Sequence, residues 1–494
     1  LNRLLGTIPE GLTDVARVPG LTAAKAALLH RELGVASLDD LESAARDGRL
    51  ATVRGFGAKT VKRVLRGIEV VRGRSGRLRY HPALIEARRS AEQILSHPDI
   101  ARVEPAGELR RVANVVTDIV LVAECSADAH DVLHAIADGA GVMESERRGH
   151  AMHIRFVDDT EISLTCASAD SFVLELWRET GTSEHVAAVV AHAETLGMKV
   201  GEHELTEARG ERIALASEVD LYAAIGMQFV PPELREGLGE VEAAIRRALP
   251  NLITREDIRG VLHCHSEYSD GSVPIAEMGA AARERGWDYL GISDHSQAAF
   301  YAGGLKSDDV HRQHEEIDRL NSGYTDFRIL KGIECDILGD GQLDYDQTLR
   351  ESFDYVIGSI HSRFSMDRDT MTGRILAAMD DPTLTVLAHP TGRLLLEREA
   401  YDLDIDAVIE KAATTGVAIE LNADPARLDL DWRWCRVANE HGARIEIGPD
   451  AHSPRGLDHT WFGVLLARKA WLEAQDVLNT RCAAEILNIA SSRR

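Results

Sequence analysis

No run of about eighteen apolar residues occurs among the 494 positions, so no membrane-spanning helix is expected. No signal peptide is read at the start, and the expectation is a protein kept in the cytoplasm. Cysteine is sparse. The six residues at 125, 166, 264, 335, 435 and 482 form no Cys-x-x-Cys pair, which excludes a disulfide framework and fits reduced thiols. Positive charge is also short, 56 Lys and Arg against 80 Asp and Glu, for a net charge of -24. A surface that acidic repels phosphate at long range, so any polynucleotide contact needs a local basic patch or bridging metal ions. The length predicts about three to four domains.

What is present is a series of imidazoles and carboxylates at the ends of apolar strands. Ile258-Arg259-Gly260-Val261 reads as the start of a buried strand that Leu262-His263-Cys264-His265 continues. His263 and His265 then project from one face, while Cys264 turns to the other and is read as core packing. Asp270 adds a carboxylate five residues on. Such donors at one strand tip suit a divalent transition metal, although a bare His-x-His also fits two exposed histidines on an edge strand. Recurrence decides between them. From Arg255 onward strands and helices alternate, as in a parallel sheet or barrel. Tyr289–Ser293 leads into Asp294 and His295, Arg328–Ile333 into Glu334, and Tyr355–Ile360 into His361. Leu384–Ala388 leads into His389, Val417–Leu421 into Asn422, and Ile445–Pro449 into Asp450 and His452. Donors at the C-terminal tips of successive parallel strands build one mouth from distant sequence.

The amino-terminal segment carries a helical repeat. Val18-Pro19-Gly20-Leu21-Thr22-Ala23-Ala24-Lys25 recurs as Val53-Arg54-Gly55-Phe56-Gly57-Ala58-Lys59-Thr60. A glycine turn that opens a helix presents free N–H groups at the positive end of the helix dipole, a seat for a DNA phosphate. The pair resembles tandem helix-hairpin-helix motifs, in which Gly20, Gly55, Gly57, Lys59, Lys62 and Arg63 would meet DNA. The basic trail continues through Arg66, Arg72, Arg74, Arg77 and Arg79. The plainer alternative is a small helical bundle with tight turns and a solvated basic face.

From Tyr80 to about Cys166 the texture is mixed helix and strand. Gly107-Glu108-Leu109-Arg110-Arg111, followed by Asp118-Ile119-Val120, resembles the palm of a family X nucleotidyltransferase. That pattern runs Gly-Ser, a double arginine, Asp-x-Asp, and a third Asp on a neighbouring strand. Gly107, Arg110, Arg111 and Asp118 match, with Arg110 and Arg111 as candidate DNA contacts. Glu108 replaces the serine, Val120 the second Asp, and Ser163 the third. Asp158, Asp159 or Glu161 could substitute only through a register shift. One carboxylate cannot bridge two magnesium ions, so residual gap filling at best is implied, with Mg2+ or Mn2+ in the palm only if it survives. Gly181-Thr182-Ser183-Glu184-His185 and Gly226–Glu236 resemble the family's thumb; His185 there contacts nucleotide or DNA, or simply caps and packs.

The carboxy-terminal 240 residues or so resemble the polymerase and histidinol phosphatase (PHP) domain of bacterial family X polymerases, through the strand-end motifs above with His389-Pro390-Thr391-Gly392-Arg393, Asn422–Asp429 and Asp450-Ala451-His452-Ser453. The resemblance implies nine ligands, His263, His265, Asp270, His295, Glu334, His361, His389, Asp450 and His452, around three ions. One ion takes His263, His265, Glu334 and Asp450; a second takes Glu334, His361 and His389; a third takes Asp270, His295 and His452. Glu334 is the bridge. Imidazole and carboxylate donors without thiolate select Mn2+, Zn2+ or Fe2+. Arg393 and Arg427 would hold phosphate oxygens, or else pair with Asp404, Asp424 or Asp429. Asp294 would orient His295 or cap a helix.

The expected architecture is multidomain: a helix-hairpin-helix region at 1–79, an α+β palm at 80–167, a thumb at 168–245, a linker at 246–256, and an α/β PHP domain at 257–494 folded as a distorted (β/α)7 barrel. Its first hairpin starts without the helices that precede it in the family, so an amino-terminal segment is expected to be missing. The implied function is metal-dependent hydrolysis at DNA 3' ends: a 3'-5' exonuclease, with 3'-phosphatase or abasic-site cleavage as variants. Asp118 is the remaining palm acid. The partners implied are gapped, nicked or 3'-ended DNA, with dNTP use in question, for a monomeric, nucleoid-associated bacterial protein. The alternatives are an active Mn-dependent gap-filling polymerase and a phosphatase acting on a small phosphate ester.

Overall fold

The computed structural model describes residues 12–18, 21–57, 60–65, 67–68, 76–139, 141–157, 160–201 and 203–494. Gly20, Lys59, Arg66, Arg72, Arg74, Asp158 and Asp159 lie outside the described residues. The backbone separates into two compact units, residues 1–78 with 396–399, and residues 79–395 with 400–494.

In the first unit, helices Leu12–Arg17, Ala23–Leu33 and Leu38–Arg46 close over Leu29, Leu41, Leu50 and Phe56. The Thr22 hydroxyl accepts the Lys25 amide at 3.3 Å, capping its helix where the second repeat carries Gly57. In that second repeat Gly55 has φ +94°, a left-handed turn, and the Gly57 carbonyl accepts the amides of Thr60 and Val61. Lys62 and Arg63 are exposed on the helix that follows.

The second unit begins with a five-stranded sheet: β1 (Ile100–Pro105), β2 (Val120–Cys125), β3 (Val142–Arg148), β4 (Ala151–Phe156) and β5 (Glu161–Ser168). The order is β1-β2-β5-β4-β3, with β2 and β5 parallel and the other pairs antiparallel. Helices Phe172–Thr180 and Ser183–Thr195 then help enclose a separate core of Trp177, Val189, Leu221 and Tyr222. His185 is buried in that core, its Nδ1 2.7 Å from Glu240 Oε1 and its Nε2 2.8 Å from the Tyr222 hydroxyl, so it packs the subdomain.

Seven parallel strands complete the unit: β6 (Gly260–Val261), β7 (Tyr289–Ile292), β8 (Arg328–Asp336), β9 (Tyr355–Ser359), β10 (Leu384–Leu387), β11 (Ala418–Asn422) and β12 (Ile445–Gly448). They pair in chain order, and most of their residues are buried, as expected for parallel strands covered on both faces. The seam between β6 and β12 is nearly closed. Cys264 bridges Ala451 there, and the buried Asn479 amide donates to the Gly260 and Ile447 carbonyls at 3.1 and 3.0 Å while accepting the Ile447 amide at 2.7 Å. The multidomain architecture ending in a distorted (β/α)7 barrel is therefore the one observed.

Contacts inside this unit correct one expectation. Arg110 makes a two-pronged pair with Glu218, at 3.0 and 2.6 Å, and donates to Thr180 Oγ1 at 2.8 Å. Arg111 reaches Glu236 at 3.2 Å and the Thr180 carbonyl at 2.7 Å. Both guanidiniums are spent tying palm to thumb rather than offered to DNA. The same corner is fastened to the barrel. Lys469 donates to the Arg111 carbonyl at 2.6 Å and pairs with Glu236, and Asn114 donates to Asp431 at 3.0 Å.

Candidate metal centre

The strand ends meet in one mouth because the parallel barrel gives every strand the same direction. His263 and His265 follow β6, His295 follows β7, Glu334 lies near the carboxy-terminal end of β8, His361 and His389 follow β9 and β10, and Asp450 and His452 follow β12. Asp270 enters from the loop after His265. The imidazoles crowd together: the His265 ring stacks on His452 at 4.2 Å and lies 4.6 Å from His295.

Glu334 is at the centre. Its Oε1 lies 3.2 Å from His361 Nε2 and 3.0 Å from His389 Nε2, while Oε2 lies 3.6, 3.7 and 2.8 Å from His263 Nε2, His265 Nε2 and His295 Nδ1. The two oxygens thus face different imidazole sets, as a carboxylate shared between ions must. Asp450 Oδ1 lies 3.6 and 3.3 Å from the Nε2 atoms of His263 and His265, and Asp270 lies 3.5 Å from His295 and 3.2 Å from His452. Among the described residues, four of the donor groups lie in this mouth, His263-His265-Asp450, His263-Glu334-His389, His295-Glu334-His361 and His265-Asp270-His295-His452, the donor atoms of each within 4.8 Å of one another. The sequence-based partition differs at three points: His265 also joins the Asp270 group, His295 joins Glu334 with His361, and His389 joins Glu334 with His263.

These side chains fit divalent ions on a structural criterion. His263 Nε2, both nitrogens of His265, His295 Nδ1, His389 Nδ1 and Glu334 Oε2 are buried and make no hydrogen bond. Buried polar atoms crowded together without hydrogen-bond geometry are costly unless something between them completes the set. Titration is divided in the same way. Burial opposes protonation of every imidazole, yet Glu334 and Asp270 hold His295 up at about 10, Glu334 and Asp336 hold His361 at about 9, and Asp270 and Asp450 hold His452 at about 9. At His265 and His389 burial wins, and they fall to about 4 and about 3.

Carboxylates behind the donors fix ring orientation. His263 Nδ1 lies 2.5 Å from Glu420 Oε1, and the other Glu420 oxygen accepts the His389 amide at 2.6 Å. Gly448 leaves the room that Glu420 needs, since a β-carbon there would collide with its carboxylate. His361 Nδ1 lies 2.7 Å from Asp336 Oδ1. Such partners set the tautomer and raise ligand basicity. Glu420→Gln is therefore expected to weaken divalent-ion affinity about 10- to 100-fold, read by competition against a chromophoric chelator. Unchanged affinity would reduce Glu420 to a packing role.

Two expectations are corrected here. Asp294 neither orients His295 nor caps a helix; it accepts from Ser266 N at 2.8 Å, Ser266 Oγ at 2.6 Å, Ser269 Oγ at 2.5 Å and Gln313 Nε2 at 2.7 Å, holding the loop that delivers Asp270. Arg393 is not available to phosphate. Its Nη1 pairs with Asp431 at 3.0 Å, its Nε donates to the Arg427 carbonyl at 3.1 Å, and its Nη2 donates to the Leu428 carbonyl. The partner is Asp431 rather than Asp404, Asp424 or Asp429. Arg427 does reach the mouth, with Nε 3.4 Å from Asp450 Oδ2.

Three family models match the chain: a PHP domain over residues 262–424, a DNA polymerase beta thumb over 175–236, and a SAM-like helix-hairpin-helix tandem over 12–69. The DNA polymerase/3'-5' exonuclease PolX of Bacillus subtilis is 35% identical over 489 residues, covering 98% of this chain and 85% of that protein. The chain belongs to the PolX family. A probable phosphatase of Syntrophotalea carbinolica is also similar, 28% identical over 234 residues, 44% of this chain and 90% of that protein. A ternary-complex structure of Leishmania infantum polymerase beta matches over 46% of the chain and 98% of its own at 14% identity, with a TM-score of 0.28.

Among the described residues of this PolX chain, the palm sheet presents little acid beside Asp118. Val120 pairs with Ser163 across β2 and β5, and Ser163 Oγ donates to Asp118 Oδ2 at 2.7 Å. Glu161 shares the Ser163 face two residues earlier, but it is half exposed and stands 3.8 Å from His153. Glu108 is turned to the Thr117 corner, accepting its amide and hydroxyl at 2.6 and 2.7 Å.

Sequence reading passed over Glu420 and Asp336. Each had a signal: an acid inside an apolar strand, Ile419-Glu420-Leu421 and Cys335-Asp336-Ile337, carries a desolvation cost that a buried partner must offset.

Proposed function

We propose that this PolX chain is a metal-dependent phosphodiesterase that removes nucleotides from DNA 3' ends, a reading supported by its Bacillus subtilis relative, which is named a DNA polymerase/3'-5' exonuclease. The observation that carries the reading is the position of Glu334, whose two oxygens face separate imidazole groups in a mouth of nine donors. We assign those nine residues as ligands, hold three ions to be the complement, and favour Mn2+, Zn2+ or Fe2+ on donor chemistry. Bound there, the ions would supply Lewis acidity, acidifying a water and neutralising phosphoryl oxygens. The chain's own residues do the rest. Glu420 and Asp336 hold His263 and His361 in one orientation, Arg427 brings a guanidinium to the rim beside Asp450, and the Asp294 loop fixes the entry of Asp270.

The helix-hairpin-helix region, with exposed Lys62 and Arg63, supplies the DNA grip that an acidic chain otherwise lacks. Segments 1–79, 80–167, 168–245, 246–256 and 257–494 are our division of labour: grip, palm, thumb, linker and hydrolase. Gap filling is residual, supported by a palm that keeps Asp118 with Ser163 opposite Val120, and dNTP use follows only to that extent. We take the protein to act as a cytoplasmic monomer, its six cysteines all unpaired.

The test uses end-labelled gapped DNA with Mn2+, with and without dNTPs. Stepwise shortening from the 3' end is expected, stopping when a chelator is added and returning with Mn2+. Shortening that survives chelation would overturn the assignment.

A further inference from the structure

Phe300 is the most exposed large apolar side chain among the described residues, 85% accessible, and its neighbour Tyr301 is 62% accessible. They are not scattered surface residues. The Tyr301 ring lies 6.5 Å from His295 and 6.3 Å from His361, so the pair stands on the rim of the metal mouth. Their rings meet edge to face at 6.1 Å and 79°, which leaves ring faces open to solvent. A groove of about 720 Å³ runs from this pair past Asp336 and His361 to Arg363. That volume is in the range of a pocket for one small organic ligand. Arg363 is exposed and has φ +60°, a conformation a non-glycine residue keeps only when its surroundings impose it. Gly339 makes the space for its guanidinium, because a β-carbon there would strike it.

We infer that this groove seats the terminal nucleoside of an unpaired DNA 3' end, with the Phe300-Tyr301 rings as the stacking platform for its base and Arg363 facing the adjoining phosphate. The inference rests on the function proposed above and narrows its substrate. Every base has a π-face, so a platform of this kind binds without choosing sequence, at about tenfold or more in affinity per stacked base. A base lying on it has left the duplex stack, which favours frayed and single-stranded ends over fully paired ones. Arg363 fits the phosphate by charge and planar geometry.

Two measurements test this on the full chain. The first uses a single strand with 2-aminopurine as its 3'-terminal base and a phosphorothioate last linkage to slow turnover. Binding is expected to quench the fluorescence at least about twofold by stacking, with the quenching lost in Phe300→Ala/Tyr301→Ala and restored in Phe300→Trp/Tyr301→Phe. The second compares a normal 3' terminus with an abasic one. The unsubstituted protein should favour the normal end about tenfold in kcat/KM, and the alanine variant should treat both ends alike. Both residues are exposed, so the substitutions remove no core packing. Absent quenching, or a terminal-base preference that survives the alanine substitutions while DNA is still shortened, overturns this inference alone. An unsubstituted, metal-replete protein that shortens no DNA overturns the proposed function and this inference with it.

Discussion

Replacing Glu334 with glutamine is expected to lower 3'-end shortening at least about a thousandfold and to reduce the divalent ions retained per chain. The amide keeps the shape of the side chain and removes its charge, and only one of its two terminal atoms can still donate a lone pair. In the structure each Glu334 oxygen serves a different imidazole set, so one substitution unbalances two donor groups at once. Lewis-acid stabilisation of several kcal/mol, taken as about 4 kcal/mol, corresponds to about three orders of magnitude in rate. Elemental analysis of the purified variant gives the second readout, independent of turnover. Activity within tenfold of the unsubstituted protein, with ions retained, would remove Glu334 from the centre of the site.

The second large effect concerns stability. Arg235 is fully buried, its Nη1 2.5 Å from Glu218 Oε1 and its Nε 3.0 Å from the Val230 carbonyl, with Tyr222 and Phe229 flanking it at 5.4 and 5.6 Å. Glu218 is shared: its other oxygen takes Arg110 from the palm at 2.6 Å. Removing Arg235, the fully buried member, leaves Glu218 to Arg110 alone and strips the packing beside Tyr222 and Phe229; breaking a buried ion pair in this way costs about 3–5 kcal/mol. Arg235→Ala is thus expected to raise local amide exchange across 172–245 by a factor of about a hundred to a thousand or more, with little change in the barrel strands. Exchange is the right probe because several folded segments share the chain, and one melting temperature would blend them. Unchanged protection over 172–245 would show that the Arg110-Glu218-Arg235 cluster does not hold palm and thumb together.

That cluster also shows where sequence reading stops. Arg110 and Arg111 look like DNA contacts from motif position alone, because their partners, Glu218 and Glu236, lie more than a hundred residues away and follow no local period. Arg393 misleads for the same reason, its carboxylate partner being Asp431, 38 residues on and just past Asp429, the last of the acids that the sequence had suggested. The barrel was legible because its strands are short apolar runs with a donor at each end, and parallel strands bring like ends together. Asn479 was not, since its task is to close a seam between the first and last strands, and nothing in its own neighbourhood marks that. Glu420 and Asp336 fall between these cases. An acid within a buried strand announces that it has a partner without saying which.

Anomalous scattering from crystals of the Mn2+-loaded protein tests the central claim most directly. Three peaks are predicted in the mouth of the barrel, two of them each within about 2.0–2.6 Å of a Glu334 oxygen and all coordinated from among His263, His265, Asp270, His295, His361, His389, Asp450 and His452. Well-ordered crystals with no peak at Glu334, or with those imidazoles turned away from a common centre, would contradict the account.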